Sequence, residues 1–194
     1  MPRNKDLSAY TALVTGASSG IGLEYARQLA AQGANLVMVS IDREDLDREA
    51  KKIVNTNGVS VETICMDLAQ PDAANKLYDH CRQKGIQIEI LINNAGIFSF
   101  QEITRTDPKK IETMLQLHIG TVTRLSRAKS VFQHQNSVRG QKRAESQDKG
   151  TRDSRKQSHF GVRLCGTSVC FFLPHRALSD GGSAFQKEIS GRVS

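Results

Sequence analysis

The stretch TALVTGASSGIG, residues 11–22, limits what this chain can fold into more than any other part of it. A short apolar run, TALVT, stops at a glycine- and serine-rich loop, and an amphipathic helix pattern begins at once. A buried strand, a tight turn and a helix start, in that order, gather backbone N–H groups at one point where the helix dipole favours an anion. Gly16 lets the chain turn sharply after the strand, where a side chain would clash. Gly20 and Gly22, with Ile21 between them, let the loop and the incoming helix approach a ligand closely. Ser18, Ser19 and the free N–H groups of the first helical turn are then the donors for phosphate oxygens.

The same alternation continues from residue 9 to about residue 128. TALVT, NLVMVS, VSVETIC and IEILIN read as four short strands. Between them lie GLEYARQLAAQG, REDLDREAKKIVNTNG and PDAANKLYDHCRQKG, which read as helices, with Gly33 and Gly58 as C-terminal stops of the first two. A further helical region begins near Asp107, whose carboxylate can cap it, and runs through PKKIETMLQLHIGTVTRLSRA. Strands that are nearly continuous apolar runs are covered on both faces, so the expectation is an α/β fold with parallel βαβ units.

After Ala128 the character changes. Between Arg124 and Arg163 eleven Lys/Arg stand against three Asp/Glu, a local net charge of +8, while the whole chain carries +7. The basicity therefore belongs to one segment, rich in Gln and Ser and without apolar periodicity, which predicts a poorly ordered tail. Only CGTSVCFFLP has the composition of a buried strand there. If the tail supplies no strand, IEILIN is left as an exposed apolar edge prone to pairing with other chains, and SVCFFL is the one candidate to cover it. The expected division is 1–128 as the folded domain and 129–194 as the atypical tail. Basic charge without interleaved aromatics or a recognition helix does not predict specific nucleic-acid binding. Cys65, Cys81, Cys165 and Cys170 lack the paired spacing of a zinc site. No apolar run reaches the length of a membrane span, and the N-terminal residues lack the apolar core of a signal peptide, so no membrane partner is expected and the cytoplasm is the expected location.

TGASSGIG at 15–22, Asp67 in CMDLA and NNAG at 93–96 occur in the order found in the N-terminal half of the short-chain dehydrogenase/reductase family, which residues 9–128 resemble. The resemblance implies a Rossmann-type doubly wound parallel sheet, here truncated after about four strands, that binds NADP or NAD. It implies that Asp67 contacts the adenine amino group with Leu68 beside the ring, and that Asn94, Ala95 and Gly96 lie along the nicotinamide-side ribose. It also implies a possible homo-oligomer through the helix at 109–128. Within the family, an acid at the end of the second strand goes with NAD and an arginine just after it with NADP. Ser40, Ile41, Asp42 and Arg43 place neither residue at its expected position. Arg43 has the planar fork that suits a 2′-phosphate, Asp42 can accept from ribose hydroxyls, and both can equally belong to a solvated helix start; the expectation leans to NADP.

Hydride transfer at a carbonyl also needs a positioned proton donor. The family supplies it with Tyr-x-x-x-Lys, downstream of NNAG. This chain has three tyrosines, Tyr10, Tyr25 and Tyr78, and the residues four positions after them are Val14, Leu29 and Arg82. His118 occupies the place expected for the family's asparagine, where it is either part of a proton relay or a histidine satisfied within a helix. No catalytic set is therefore assigned. The expected function is an NAD(P)-dependent oxidoreductase of the short-chain type, acting on a carbonyl or alcohol, truncated and inactive as this chain stands. The last third then reads as an out-of-frame translation or as a divergent extension. The alternative function is a non-catalytic, dinucleotide-binding regulatory module.

Overall fold

A computed structural model describes residues 6–130 and the backbone of 170–172. Strand β1 (Thr11–Thr15) leads through the glycine loop into helix α1 (Gly20–Ala31), then β2 (Asn35–Ser40), α2 (Arg43–Asn57) and β3 (Val61–Cys65). Helix α3 (Ala73–Gln83), β4 (Ile90–Asn93) and α4 (Pro108–Leu115) follow, with a single 3₁₀ turn at Ile103–Arg105 before α4. The last described strand, β5, is Cys170–Phe172. The sheet order is β3-β2-β1-β4-β5, with the first four strands parallel and β5 antiparallel to β4. This is the expected Rossmann-like arrangement. The edge of β4 is paired from within CGTSVCFFLP, in the register Leu91↔Phe172 and Ile92↔Phe171. The rest of the basic segment, with Cys165 and the expectation of a poorly ordered tail, lies outside the described residues.

Alternation along the strands builds two cores. Ala12, Val14, Leu36, Met38, Ile90 and Ile92 face α1 and α2, where Leu23, Ala26, Leu29, Leu46 and Ile53 pack on them. Leu13, Val37, Val39, Ile64 and Leu91 face the other way, onto Ala74, Leu77, Tyr78 and Cys81 of α3 and onto Leu117 and Leu125. Each fully buried leucine or isoleucine here contributes about 1.5–3 kcal/mol relative to exposure. Left-handed glycines end the elements as the sequence predicts: Gly33 with φ 89° follows α1, and Gly58 with φ 69° closes α2. Asp107 accepts the N–H of Lys109 at 3.0 Å and caps α4, with Pro108 in its first turn.

The helical region after Asp107 is not uniform. Residues Gln116–Thr121 form a π-helical turn, and residues 122–130 resume as α-helix. The wider turn coincides with a buried hydrogen bond, in which Thr121 Oγ1 donates to the Leu68 carbonyl at 2.6 Å and ties this helix to the loop after β3. Helical periodicity gives no sign of it, because the bond is set by a residue 53 positions away. The helix also carries Lys129 inward: the residue is 1% exposed, and its ammonium donates to the Glu89 carbonyl at 2.7 Å. Burial pushes that ammonium down to about 7, opposed by the nearby Glu89 carboxylate. Among the described residues no helix is long and apolar enough to cross a membrane.

Glu49 is buried on α2 and is met by three cations, one of them from α1. Arg27 and Lys52 each reach its carboxylate at 2.7 Å, and Arg48 reaches it at 3.4 Å. The hydrogen bond from Lys52, and after it that from Arg27, outweigh desolvation and hold the carboxyl down to about 2. A carboxyl depressed in the folded state adds stability above its unfolded value, near 4.5, and loses it as pH falls toward about 2. Replacing Glu49 by Gln should lower the urea midpoint at neutral pH, and the gap to wild type should close between pH 4.5 and 2. Urea titrations at stepped pH measure this; a gap constant with pH would refute the ion-pair origin.

Candidate functional site

At the C-terminal ends of β1, β2, β3 and β4 an open cleft of about 720 Å³ runs across the sheet. Such a crevice is where ligands sit in open parallel sheets. One wall is Gly16, Ser18 and Ser19; beyond them lie Ser40, Ile41, Asp42 and Asp45, and the far side holds Asp67, Leu68, Asn94, Ala95, Gly96 and Leu117. The sequence motifs, up to 80 residues apart, thus meet in one place.

The junction between them is tightly built. Gly16 has φ +67°, and a Cβ there would stand 2.9 Å from Asn94 Nδ2 and 3.0 Å from Ala95 Cα. At Gly22 a Cβ would fall 2.1 Å from the Gly16 carbonyl oxygen and 2.4 Å from Asn94 Nδ2. Gly22 is therefore required for the contact of α1 with the loop beneath it, and it does not line the cleft. Neither do Gly20, whose φ of +55° is its constraint, and Ile21, whose side chain is 48% exposed. Asn94 Nδ2 donates to the carbonyls of Thr15 and Gly16, at 3.2 and 3.3 Å. Thr15, which sequence reasoning did not single out, is the other half of the joint. Its hydroxyl accepts the N–H groups of Asn94 and Ala95 at 2.9 and 3.0 Å and donates to the Ile92 carbonyl at 3.3 Å. A threonine at the end of a buried strand is the one signal that could have drawn attention to it.

Ser19 sits at the N-cap of α1 in extended conformation and makes no side-chain cap, and no acidic residue stands in the first turn. The first N–H groups of α1 therefore keep their capacity for an anion. Ser18 and Ser40 are joined hydroxyl to hydroxyl at 2.8 Å. Asp67 accepts the N–H of Ala69 and the amide of Gln70, both at 2.9 Å, which fixes its carboxylate at the cleft wall. Leu68 is 4% exposed, belonging to the core as well as to the lining.

Two expected residues are placed differently. Arg43 lies outside the lining, 3.9 Å from Asp47, which Thr63 holds by a hydrogen bond of 2.8 Å; Asp42 is the residue presented to the cleft. The difference follows from the helix start: Asp42 caps α2 by accepting the Asp45 N–H at 3.0 Å, so Arg43 turns onto the outer face with its i+4 partner. His118 also lies outside the lining. Its Nε2 donates to the Ile97 carbonyl at 3.0 Å, and its ring packs on Gly96, where a Cβ would be 2.5 Å from Cε1. Tyr78 is 7% exposed in the core under α3, and burial pushes its hydroxyl far above its ordinary value, while Arg82 pairs with Asp79 at 2.8 Å. The Tyr78–Arg82 spacing therefore makes no acid–base pair.

Two substitutions test the joint. Gly22→Ala should destabilise the fold by about 1–3 kcal/mol through overpacking against backbone. Thr15→Val, nearly the same shape, should cost about 1–3 kcal/mol by leaving two backbone N–H groups unpaired. Urea denaturation followed by circular dichroism measures both, and wild-type stability in either variant would refute the geometry.

Comparison with known proteins agrees with this architecture. A family model described as short chain dehydrogenase matches residues 10–139. An uncharacterized oxidoreductase of Staphylococcus saprophyticus is 36% identical over 114 residues, 59% of this chain and 49% of that protein. The very-long-chain 3-oxoacyl-CoA reductase-A of Danio rerio is 37% identical over 120 residues, 60% of this chain and 37% of that one. Among solved structures, a short-chain dehydrogenase from Sphingobium yanoikuyae in complex with NADPH superposes with a TM-score of 0.58 at 37% identity, covering 62% of this chain and 46% of that one. This chain thus spans half or less of the length of these relatives. With the family model matching two thirds of its residues and the glycine loop, Asp67 and NNAG meeting at one cleft, the chain belongs to the short-chain dehydrogenase family.

Proposed function

We propose that this chain binds a nicotinamide dinucleotide, NADP or NAD, as the nucleotide-binding part of an oxidoreductase for a carbonyl or alcohol, and holds it without turning it over. The observation that carries the reading is the cleft: an uncapped helix start beside Ser18 and Ser19, with Asp67 and the NNAG loop on the opposite wall. The tight Gly16–Gly22–Asn94 packing fits such a group, because it seats the start of α1 against Gly16 and Asn94, which line the cleft. In this reading the first turn of α1, Ser18 and Ser19 hold the pyrophosphate. Asp67 and Leu68 border the adenine, and Asn94, Ala95 and Gly96 border the nicotinamide-side ribose. Solved relatives complexed with NADPH, including an L-sorbose reductase from Gluconobacter frateurii, support the ligand class.

When bound, the nicotinamide supplies or accepts a hydride. The oxygen of the substrate must gain or lose a proton in the same reaction, and that part is the protein's. No tyrosine, lysine or histidine lines the cleft among the described residues, and no tyrosine follows Tyr78 in the sequence. Leu115 and Ile119, 54% and 60% exposed, support association of the helical stretch 109–128 with a second copy; a monomer in sedimentation would end that part of the reading.

Calorimetry with the whole chain should give one dinucleotide bound per protein. A ligand at a hundred times its Kd should raise the unfolding free energy by about 2.7 kcal/mol. Nicotinamide absorbance should stay constant with a panel of ketones and aldehydes. Absence of binding would overturn the site, and steady turnover would overturn the claim that this chain does not complete the reaction.

A further inference from the structure

The helical stretch that starts at Pro108 forms part of the cleft wall through Thr113 and Leu117. The π-helical turn within it, Gln116–Thr121, makes one hydrogen bond to each of two loops. Thr121 Oγ1 donates to the Leu68 carbonyl at 2.6 Å, on the loop after β3. Three residues earlier, His118 Nε2 donates to the Ile97 carbonyl at 3.0 Å, just beyond NNAG. Leu68 and Ile97 both line the cleft, the first beside Asp67 and the second beside Gly96. We propose that this turn is a two-armed brace coupling the adenine end of the cleft to the nicotinamide end, with Thr121 and His118 as positioning residues. The names of the two ends rest on the dinucleotide reading above; the brace itself rests on the hydrogen bonds.

The width of the turn is what lets one short segment reach both loops. In an α-helix, residues three apart are neighbours on one face. A turn closed by i→i+5 bonds holds more residues, so each rotates less about the axis and residues three apart are spread around it. His118 and Thr121 therefore meet different loops and do not stack on one. Contacts inside the turn hold that shape. Gln116 Nε2 donates to Thr121 Oγ1 at 3.4 Å, across the same five-residue spacing, and leaves the hydroxyl proton for Leu68. Gly120 makes room for this, since a Cβ there would stand 2.6 Å from Gln116 Oε1.

Both arms are embedded in packed surroundings, which makes them stiff. Thr121 is buried, and Leu68 and Leu117 belong to the same core cluster. On the other arm the His118 ring lies 5.4 Å from the Phe98 ring, centroid to centroid, and closes on the bare backbone of Gly96. A buried hydrogen bond that breaks leaves its groups unpaired at a cost, so each loop is held where its arm reaches. A displacement of Leu68 then draws on Thr121, turns the segment and shifts the Ile97 carbonyl through His118. Coupling of this kind runs through contiguous packing and hydrogen bonds.

The test is amide hydrogen exchange on the full chain, read residue by residue by NMR, with calorimetry beside it. The Ala69 N–H is bonded to Asp67 on the near loop, and those of Asn94 and Ala95 to Thr15 across the cleft. Thr121→Val, nearly the same shape without the hydroxyl, should speed exchange about fivefold or more at all three. It should also weaken, by about tenfold, whichever of NAD⁺ and NADP⁺ wild type binds more tightly. Thr121→Ser keeps the donor and should restore both readouts. A rise confined to Ala69 would overturn the brace, because the two loops would then move independently. An equal rise at Leu13 in β1 would be general loosening and would overturn it too, and wild-type affinity in Thr121→Val would end the positioning role. Should Thr121→Val not fold, His118→Phe keeps a ring against Phe98, loses the donor and runs the test in reverse. Exchange at Ala69 should then rise, and an unchanged Ala69 overturns the brace. Should wild type bind neither dinucleotide, the dinucleotide reading fails, and the exchange rates still decide the brace.

Discussion

The packing of the first turn of α1 onto the loop beneath it governs the rest of this structure. Gly22 passes so close to the Gly16 carbonyl and the Asn94 amide that one methyl group would occupy the space already filled by backbone. Because nothing stands there, the start of α1 sits directly over the ends of β1 and β4, and the Thr15 hydroxyl can serve three backbone groups of the β4 end at once. These contacts join segments nearly 80 residues apart and make the cleft a property of the fold, with its polar groups fixed before any ligand arrives.

Charge is distributed around that joint with a consistent logic. The anion-favouring groups are backbone N–H groups at the start of α1, while the charged side chains of the lining are carboxylates held by hydrogen bonds. Cations of α2 are paired within the helix, Arg48 and Lys52 around Glu49 or Asp45 and Arg43 toward Asp47, while Arg27 of α1 also reaches Glu49. A single local interaction, the capping of α2 by Asp42, sends neighbouring residues of opposite charge to opposite sides of the helix start.

Much of this was legible in the residues. TALVT and NLVMVS are strands over the lengths their apolar runs suggest, Gly58 ends α2 and Asp107 caps α4, since each depends on local sequence alone. The glycine loop, Asp67 and NNAG could be placed at one site from their order. What escaped sequence reasoning depends on distant partners. The π-helical turn accompanies a hydrogen bond from Thr121 to Leu68, and Lys129 is drawn inward to the Glu89 carbonyl although its flanking sequence is that of a solvated basic stretch. The burial of Asn93 was equally hidden: it is 2% exposed at the end of β4, and its amide finds no hydrogen bond among the described residues.

By itself the sequence determined the parallel alternation of strands and helices, the position of the phosphate-favouring loop and the lack of a Tyr-x-x-x-Lys pair. These follow from periodicity, from backbone freedom at glycine and from which side chains are present at all. Only the tertiary structure decided where each of these residues sits and what it touches: that Gly22 packs against the Gly16 carbonyl, that His118 meets the Ile97 carbonyl, and that Asp42 lines the cleft while Arg43 stands beside Asp47. The reason is physical. A residue's type limits the bonds it can make, and its partners are chosen by whichever donors, acceptors and surfaces the folded chain carries to within about 3 Å of it.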